Sequence, residues 1–131
     1  MELIADTSVF LAVAGNEPEK EELIDMTLGV ELLAPFSVHW EVGNALSAML
    51  KKNRLDIAQA EAVLASYASI PVRFVDVDIQ QSLQIAAEFS IYAYDAYLLA
   101  CARSQRRSLI TLDKPLRRIA ERAGIRTVEI S

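Results

Sequence analysis

Residues 108–124 read SLITLDKPLRRIAERAG. The apolar run SLITL has the length of a buried strand and ends at a lone acid, Asp113. Pro115 sits where the first turn of a helix tolerates it, and Gly124 where a helix stops. The passage predicts strand, acid and helix in immediate succession. The N-terminus repeats that order: ELIA at 2–5 ends at Asp6, with a helix expected to begin near Ser8. Between them, EPEKEELIDMTL at 17–28 reads as an amphipathic helix and VELLA at 30–34 as a second strand. Pro35 and Ser37 open a helix to Lys52 that pairs with another from residue 57 as a hairpin. VRFVDV at 72–77 reads as a third strand, Asp78 caps IQQSLQIAAEF, Asp95 caps AYLLACARSQ, and IRTVEI at 125–130 is the last strand. Strands separated by helices require right-handed crossovers and a parallel sheet. The expected class is α/β, a parallel β-sheet of about five strands flanked by α-helices on both faces.

The 131 residues are 53% hydrophobic, with 4 Gly and no Gly/Ser linker or repeat, which excludes disorder and predicts a single domain over 1–131. One cysteine, Cys101, excludes an internal disulfide and a thiolate zinc cluster and fits a reducing compartment. The opening MELIADTSVFLAVAG carries Glu2 and Asp6 where a secretory signal carries basic residues, and its apolar run is too short to span a bilayer. A cytoplasmic protein without membrane contact is the expectation. The net charge of -5 argues against holding nucleic acid by bulk electrostatics. That average hides an asymmetry: residues 1–100 are net -10 and residues 101–131 net +5.

Most of the 18 acids lie in charged runs such as 17–25, whereas Asp6, Glu41, Asp95 and Asp113 stand alone in apolar surroundings. Asp6 and Asp113 directly follow strands, so a parallel sheet brings both to its carboxyl edge, where such sheets bind ligands. Helix capping explains Asp6, Asp95 and Asp113 as well. Glu41 lies inside PFSVHWEVGNALSAML at 35–50, with Asn44 a turn later on the same face; a solvated stripe is its plainer reading. Gly43 between them is costly in a helix interior, which predicts a close approach by packing or ligand. Isolated buried acids call for a counter-ion, and no Lys or Arg is placed to serve all four. At an effective dielectric near 20, two carboxylates about 5 Å apart repel by roughly 3 kcal/mol, which points to a multivalent cation. All-oxygen ligands suit Mg²⁺ or Mn²⁺.

IADTSVF, PFSVHWEVGNAL, YDAYLLACA and LITLDKPL together resemble the four acidic motifs of PIN-domain nucleases, in the order and spacing of VapC-type ribonuclease toxins from toxin–antitoxin pairs. The likeness spans almost the whole chain. It implies a parallel five-stranded sheet and a divalent-metal site made by Asp6, Glu41, Asp95 and Asp113, with polar support from Thr7 or Ser8, Asn44 and Thr111. It further implies endoribonuclease activity, a homodimer, and a cognate antitoxin lying across the acidic site. The departure is the sparse polar dressing near Asp95, where Tyr92, Tyr94 and Tyr97 stand.

Arg106, Arg107, Lys114, Arg117 and Arg118 form either an RNA-contacting rim near Asp113 or a solvated helix face. Val38, Leu46, Met49, Leu50 and Val63 are more apolar surface than two helices need, which fits a dimer interface or the core. His39, the single histidine, lacks a nucleophile partner and reads as a rim residue; Cys101 reads as core. Asp76 and Asp78 fit strand exit and helix capping. Two other functions remain open: a phosphoaspartate signalling or phosphatase domain, for which the first strand lacks an acidic pair, and a non-catalytic binding module on the same fold.

Overall fold

The computed structural model describes residues 1–130. Along the chain run β1 (Glu2–Ala5), α1 (Thr7–Ala14), α2 (Lys20–Met26), β2 (Glu31–Pro35), α3 (Ser37–Lys51), α4 (Ile57–Ala68), β3 (Val72–Val75), α5 (Ile79–Phe89), α6 (Ala93–Gln105), β4 (Leu109–Ile110), α7 (Lys114–Arg122) and β5 (Thr127–Val128). All five strands are parallel, in the order β3-β2-β1-β4-β5. The central strand β1 places Ile4 opposite both Leu33 and Leu109. Leu3, Ile4 and Ala5 are accordingly buried on both faces, as their unbroken apolar run requires.

The chain builds outward from β1 to β3 through α1–α4, then returns through α5 and α6 to add β4 and β5 on the other side. Right-handed crossovers place these two groups of helices on opposite faces. The order therefore reverses between β1 and β4. A crevice opens at such a reversal, outside the strands' carboxyl ends, and there Asp6 leaves β1 and Asp113 follows β4.

Several local expectations are corrected. Pro35 belongs to the end of β2, opposite Val75, rather than opening a helix. Tyr92 holds the position before α6, so Asp95 lies inside the first helical turn and its side chain makes no cap. A carboxylate there is still favoured by the helix dipole. Gly43 is exposed, and a Cβ added to it would meet nothing within 4 Å, so no part of the chain approaches closely. The apolar set expected at a dimer face is mostly core: Val38 and Leu46 are buried, and Met49 and Val63 pack against them. Exposed apolar area lies elsewhere, at Phe36 and Trp40 one turn apart beside α3 and at Ile79 and Leu83 on α5. No described helix is long and apolar enough to cross a membrane.

Candidate active site

Asp6 is 4% exposed at the end of β1, and both its carboxylate oxygens are held. Ser8 Oγ donates to Oδ1 at 2.6 Å and Thr111 Oγ1 donates to Oδ2 at 2.7 Å. Those hydroxyls are fixed in turn, because Leu112 N donates to Ser8 Oγ and Asp113 N to Thr111 Oγ1. Ser8 thus ties the exits of β1 and β4 together instead of capping α1. Asp6 occupies the cap position of α1, yet its side chain makes no capping bond. The capping explanation fails for Asp6 and Asp95 but holds in part for Asp113, whose Oδ1 accepts from Leu116 N at 3.0 Å.

Burial pushes the Asp6 carboxyl up to about 6, with Asp113 adding to the rise and the Ser8 and Thr111 hydroxyls opposing it. Glu41, half-buried on α3, is raised to about 7 by burial and then by the charges of Asp6 and Asp95. Asp95 is raised by burial and then by Asp113. The four acids, carried by four separate elements, therefore face one another closely enough to repel. No lysine or arginine among the described residues offsets any of these three rises. The Thr7 hydroxyl opposes the Glu41 rise, although neither Thr7 Oγ1 nor Glu41 Oε1 has a hydrogen-bond partner within 3.5 Å.

The donor set suits a hard divalent cation: carboxylates and hydroxyls, with no ion pair to a base among the described residues, and a buried carboxylate oxygen left without a partner. Among the described residues no group of three or more His, Cys, Asp or Glu side chains forms a ready metal cage.

The supporting residues separate. Thr111 and Ser8 join the Asp6 network, Thr7 lies beside Glu41, and Asn44 is exposed with no side-chain hydrogen bond among the described residues. The basic residues separate too. Lys114, Arg117 and Arg118 follow Asp113 on the acid edge, and Arg117 Nη2 donates to the Thr111 carbonyl at 3.3 Å. Arg106 and Arg107 do not form a rim near Asp113, because they precede β4 and lie at the amino edge of the sheet. Arg107 Nε pairs there with Glu2 at 2.9 Å. β1 and β4 are parallel neighbours, so residues before each share one edge. His39 Nδ1 lies 3.3 Å from Tyr67 Oη in an aromatic group with Trp40 and Phe74, and Cys101 is buried with its thiol pushed up to about 12.

Thr111→Val tests how far this network holds the site. It strips a donor from buried Asp6 and an acceptor from Asp113 N, so a loss of about 1–3 kcal/mol is expected in urea unfolding at neutral pH. Wild-type stability would show that Asp6 needs no such support.

The PIN-domain family profile matches residues 3–122. The chain belongs to the PIN-domain family. Solved structures agree on the fold. A Pyrobaculum aerophilum protein superimposes with a TM-score of 0.71 at 23% identity, covering 98% of this chain and 92% of that one. VapBC2 from Rickettsia felis, bound to a DNA fragment from its promoter, gives 0.69 at 14% identity with both chains covered completely. A toxin–antitoxin complex from Klebsiella pneumoniae gives 0.62 at 16% identity over 97% and 96%. Comparison with curated proteins returned no match. For this PIN domain, identities so low establish the shared architecture and leave the chemistry to its own residues.

Proposed function

We propose that this PIN domain is a divalent-metal-dependent endoribonuclease and the toxin of a toxin–antitoxin pair. The observation that carries the reading is the meeting of Asp6, Glu41, Asp95 and Asp113 at the reversal point of the sheet, where among the described residues no lysine or arginine offsets the raised Asp6, Glu41 and Asp95 carboxyls. Asp6, Asp95, Asp113 and Glu41 would hold Mg²⁺ or Mn²⁺. A divalent ion supplies Lewis-acid polarisation of a phosphodiester and a nucleophile at neutral pH.

The chain contributes the rest. Ser8 and Thr111 fix the Asp6 carboxylate in one orientation, which removes the need to order it during reaction. Glu41 Oε1, partnerless and on a group raised to about 7, is the acceptor that entering water meets and is poised to take its proton near neutral pH. Lys114, Arg117 and Arg118 stand beside Asp113 to contact RNA phosphates. The deep burial of Asp6 leaves little room for an incoming phosphoryl group, which weighs against a phosphoaspartate domain.

The partner reading rests on the resemblance and on a structural neighbour described as a toxin–antitoxin complex. An antitoxin crossing the acid edge and a homodimer in the cytoplasm complete it. Exposed Phe36 and Trp40 are better candidates for a dimer face than the residues that turned out to be core. Expression without a partner should arrest growth of a host cell, while Asp6→Asn or Asp95→Asn at equal abundance should be harmless. Equal arrest by all three proteins would refute the assigned site, and harmless wild type would remove the case for a toxin.

A further inference from the structure

A cavity of about 960 Å³ opens at the edge of the sheet opposite the acids. Its wall includes Arg103, Arg106, Arg107 and Arg126 against Glu2 and Glu31. This arrangement follows from the topology: Glu2 and Glu31 begin β1 and β2, while Arg107 and Arg126 precede β4 and β5, so parallel strands gather all four at one end.

The arginines are not equally occupied. Arg107 pairs with Glu2, and Arg103 Nη2 donates to the Ala123 carbonyl at 3.0 Å. Glu2 and Glu31 are both engaged by Arg73 as well. Arg106 and Arg126 have no side-chain partner among the described residues. The two glutamates are thus already balanced, and two guanidinium groups remain free over a cavity large enough for a nucleotide-sized ligand. Arg106 also holds a left-handed backbone conformation, φ 54°, at the end of α6, where glycine is free of strain. Basic side chains do suit a helix C-terminus, but the dipole accounts for neither the cavity nor Arg126, which belongs to no helix.

We infer that this cavity is a second RNA-binding site, in which Arg106 and Arg126 contact backbone phosphates of a strand whose reacting segment lies at the acid edge. The inference rests on the ribonuclease reading for the identity of the strand. β1 separates the two edges by only roughly 13 Å at about 3.3 Å per residue, a gap that RNA longer than a few nucleotides can bridge. It also resolves how an acidic chain engages a polyanion: one basic group stands beside the acids and another behind the sheet.

The test compares a tetranucleotide with an unstructured single-stranded RNA several times longer, using the full chain with Arg106→Gly and Arg126→Ala together. Glycine suits the left-handed position, and retained circular dichroism and melting temperature will confirm folding. Binding is measured in EDTA across a salt series, and cleavage separately with Mn²⁺. The expected result is at least about tenfold weaker binding of the long RNA, a salt slope reduced by about 1.4 for two lost phosphate contacts on a single strand, and unchanged cleavage of the tetranucleotide. Unchanged long-RNA binding and slope would overturn the inference, as would an equal loss for both lengths. Competition by polyglutamate as strong as by RNA would assign the cavity to an acidic protein segment and overturn it too. A wild type that binds long RNA through these arginines but cuts neither substrate would refute the nuclease reading while supporting this site.

Discussion

Asp6→Asn protein is expected to fold, to melt at or above the wild-type temperature without metal, and to cleave RNA at least about a thousandfold more slowly. The two halves of this result have one cause. Asp6 is almost fully buried and its ionised form is disfavoured, so a neutral amide of the same shape removes a desolvation penalty and one repulsion with Asp113. The Ser8 and Thr111 hydroxyls can rotate to meet it. The same change removes a full negative charge from the proposed cation site. Loss of several kcal/mol of transition-state stabilisation corresponds to three or more factors of ten in rate. Single-turnover cleavage with Mn²⁺ alongside thermal melts in EDTA measures both. Activity within tenfold of wild type would remove Asp6 from the mechanism.

Stability should depend on pH in a direction opposite to that of ordinary surface acids. Asp6 rises from 3.8 to about 6 on folding and Glu41 from 4.5 to about 7, so the folded state holds their protons more tightly than the unfolded chain. Their contribution is fullest below the unfolded values and is lost as pH rises through about 4 to 7. For Asp6 the loss approaches about 3 kcal/mol at 1.36 kcal/mol per pKa unit. Because other carboxylates slope the other way, the wild type is read against Asp6→Asn, whose metal-free stability should fall less across that range. Saturating Mg²⁺ or Mn²⁺ should reverse the trend: the ionised acids hold the cation, so the gain in melting temperature grows with pH and reaches the equivalent of about 2.7 kcal/mol at a hundred times Kd. Identical pH slopes in both proteins, or a metal effect that does not grow with pH, would contradict the convergence of these acids.

The class, the five strands and the four isolated acids were legible because they depend on short-range pattern. A buried parallel strand reads as an apolar run, and an acid that interrupts such surroundings has few plain explanations. Capping was harder to read. Asp78 and Asp113 do cap, whereas Asp95 lies inside its helix and Asp6 turns away from its own, and all four look alike in sequence. The difference arises because Ser8 and Thr111 take up both Asp6 oxygens and because α6 starts before Asp95, at Ala93.

Residue order by itself therefore determined that strands and helices alternate, which acids are isolated, and that the basic residues cluster at the end of the chain. Tertiary structure decided which of these residues share an edge. The strand order β3-β2-β1-β4-β5 placed Asp6 beside Thr111 across 105 positions and sent Arg106 and Arg107 to the opposite edge from Arg117 and Arg118, although barely ten residues separate them. Local pattern sets only which face or end of an element a side chain occupies. The edge at which two elements meet depends on the direction of the strand between them, and β4 crosses the sheet between the two pairs of arginines.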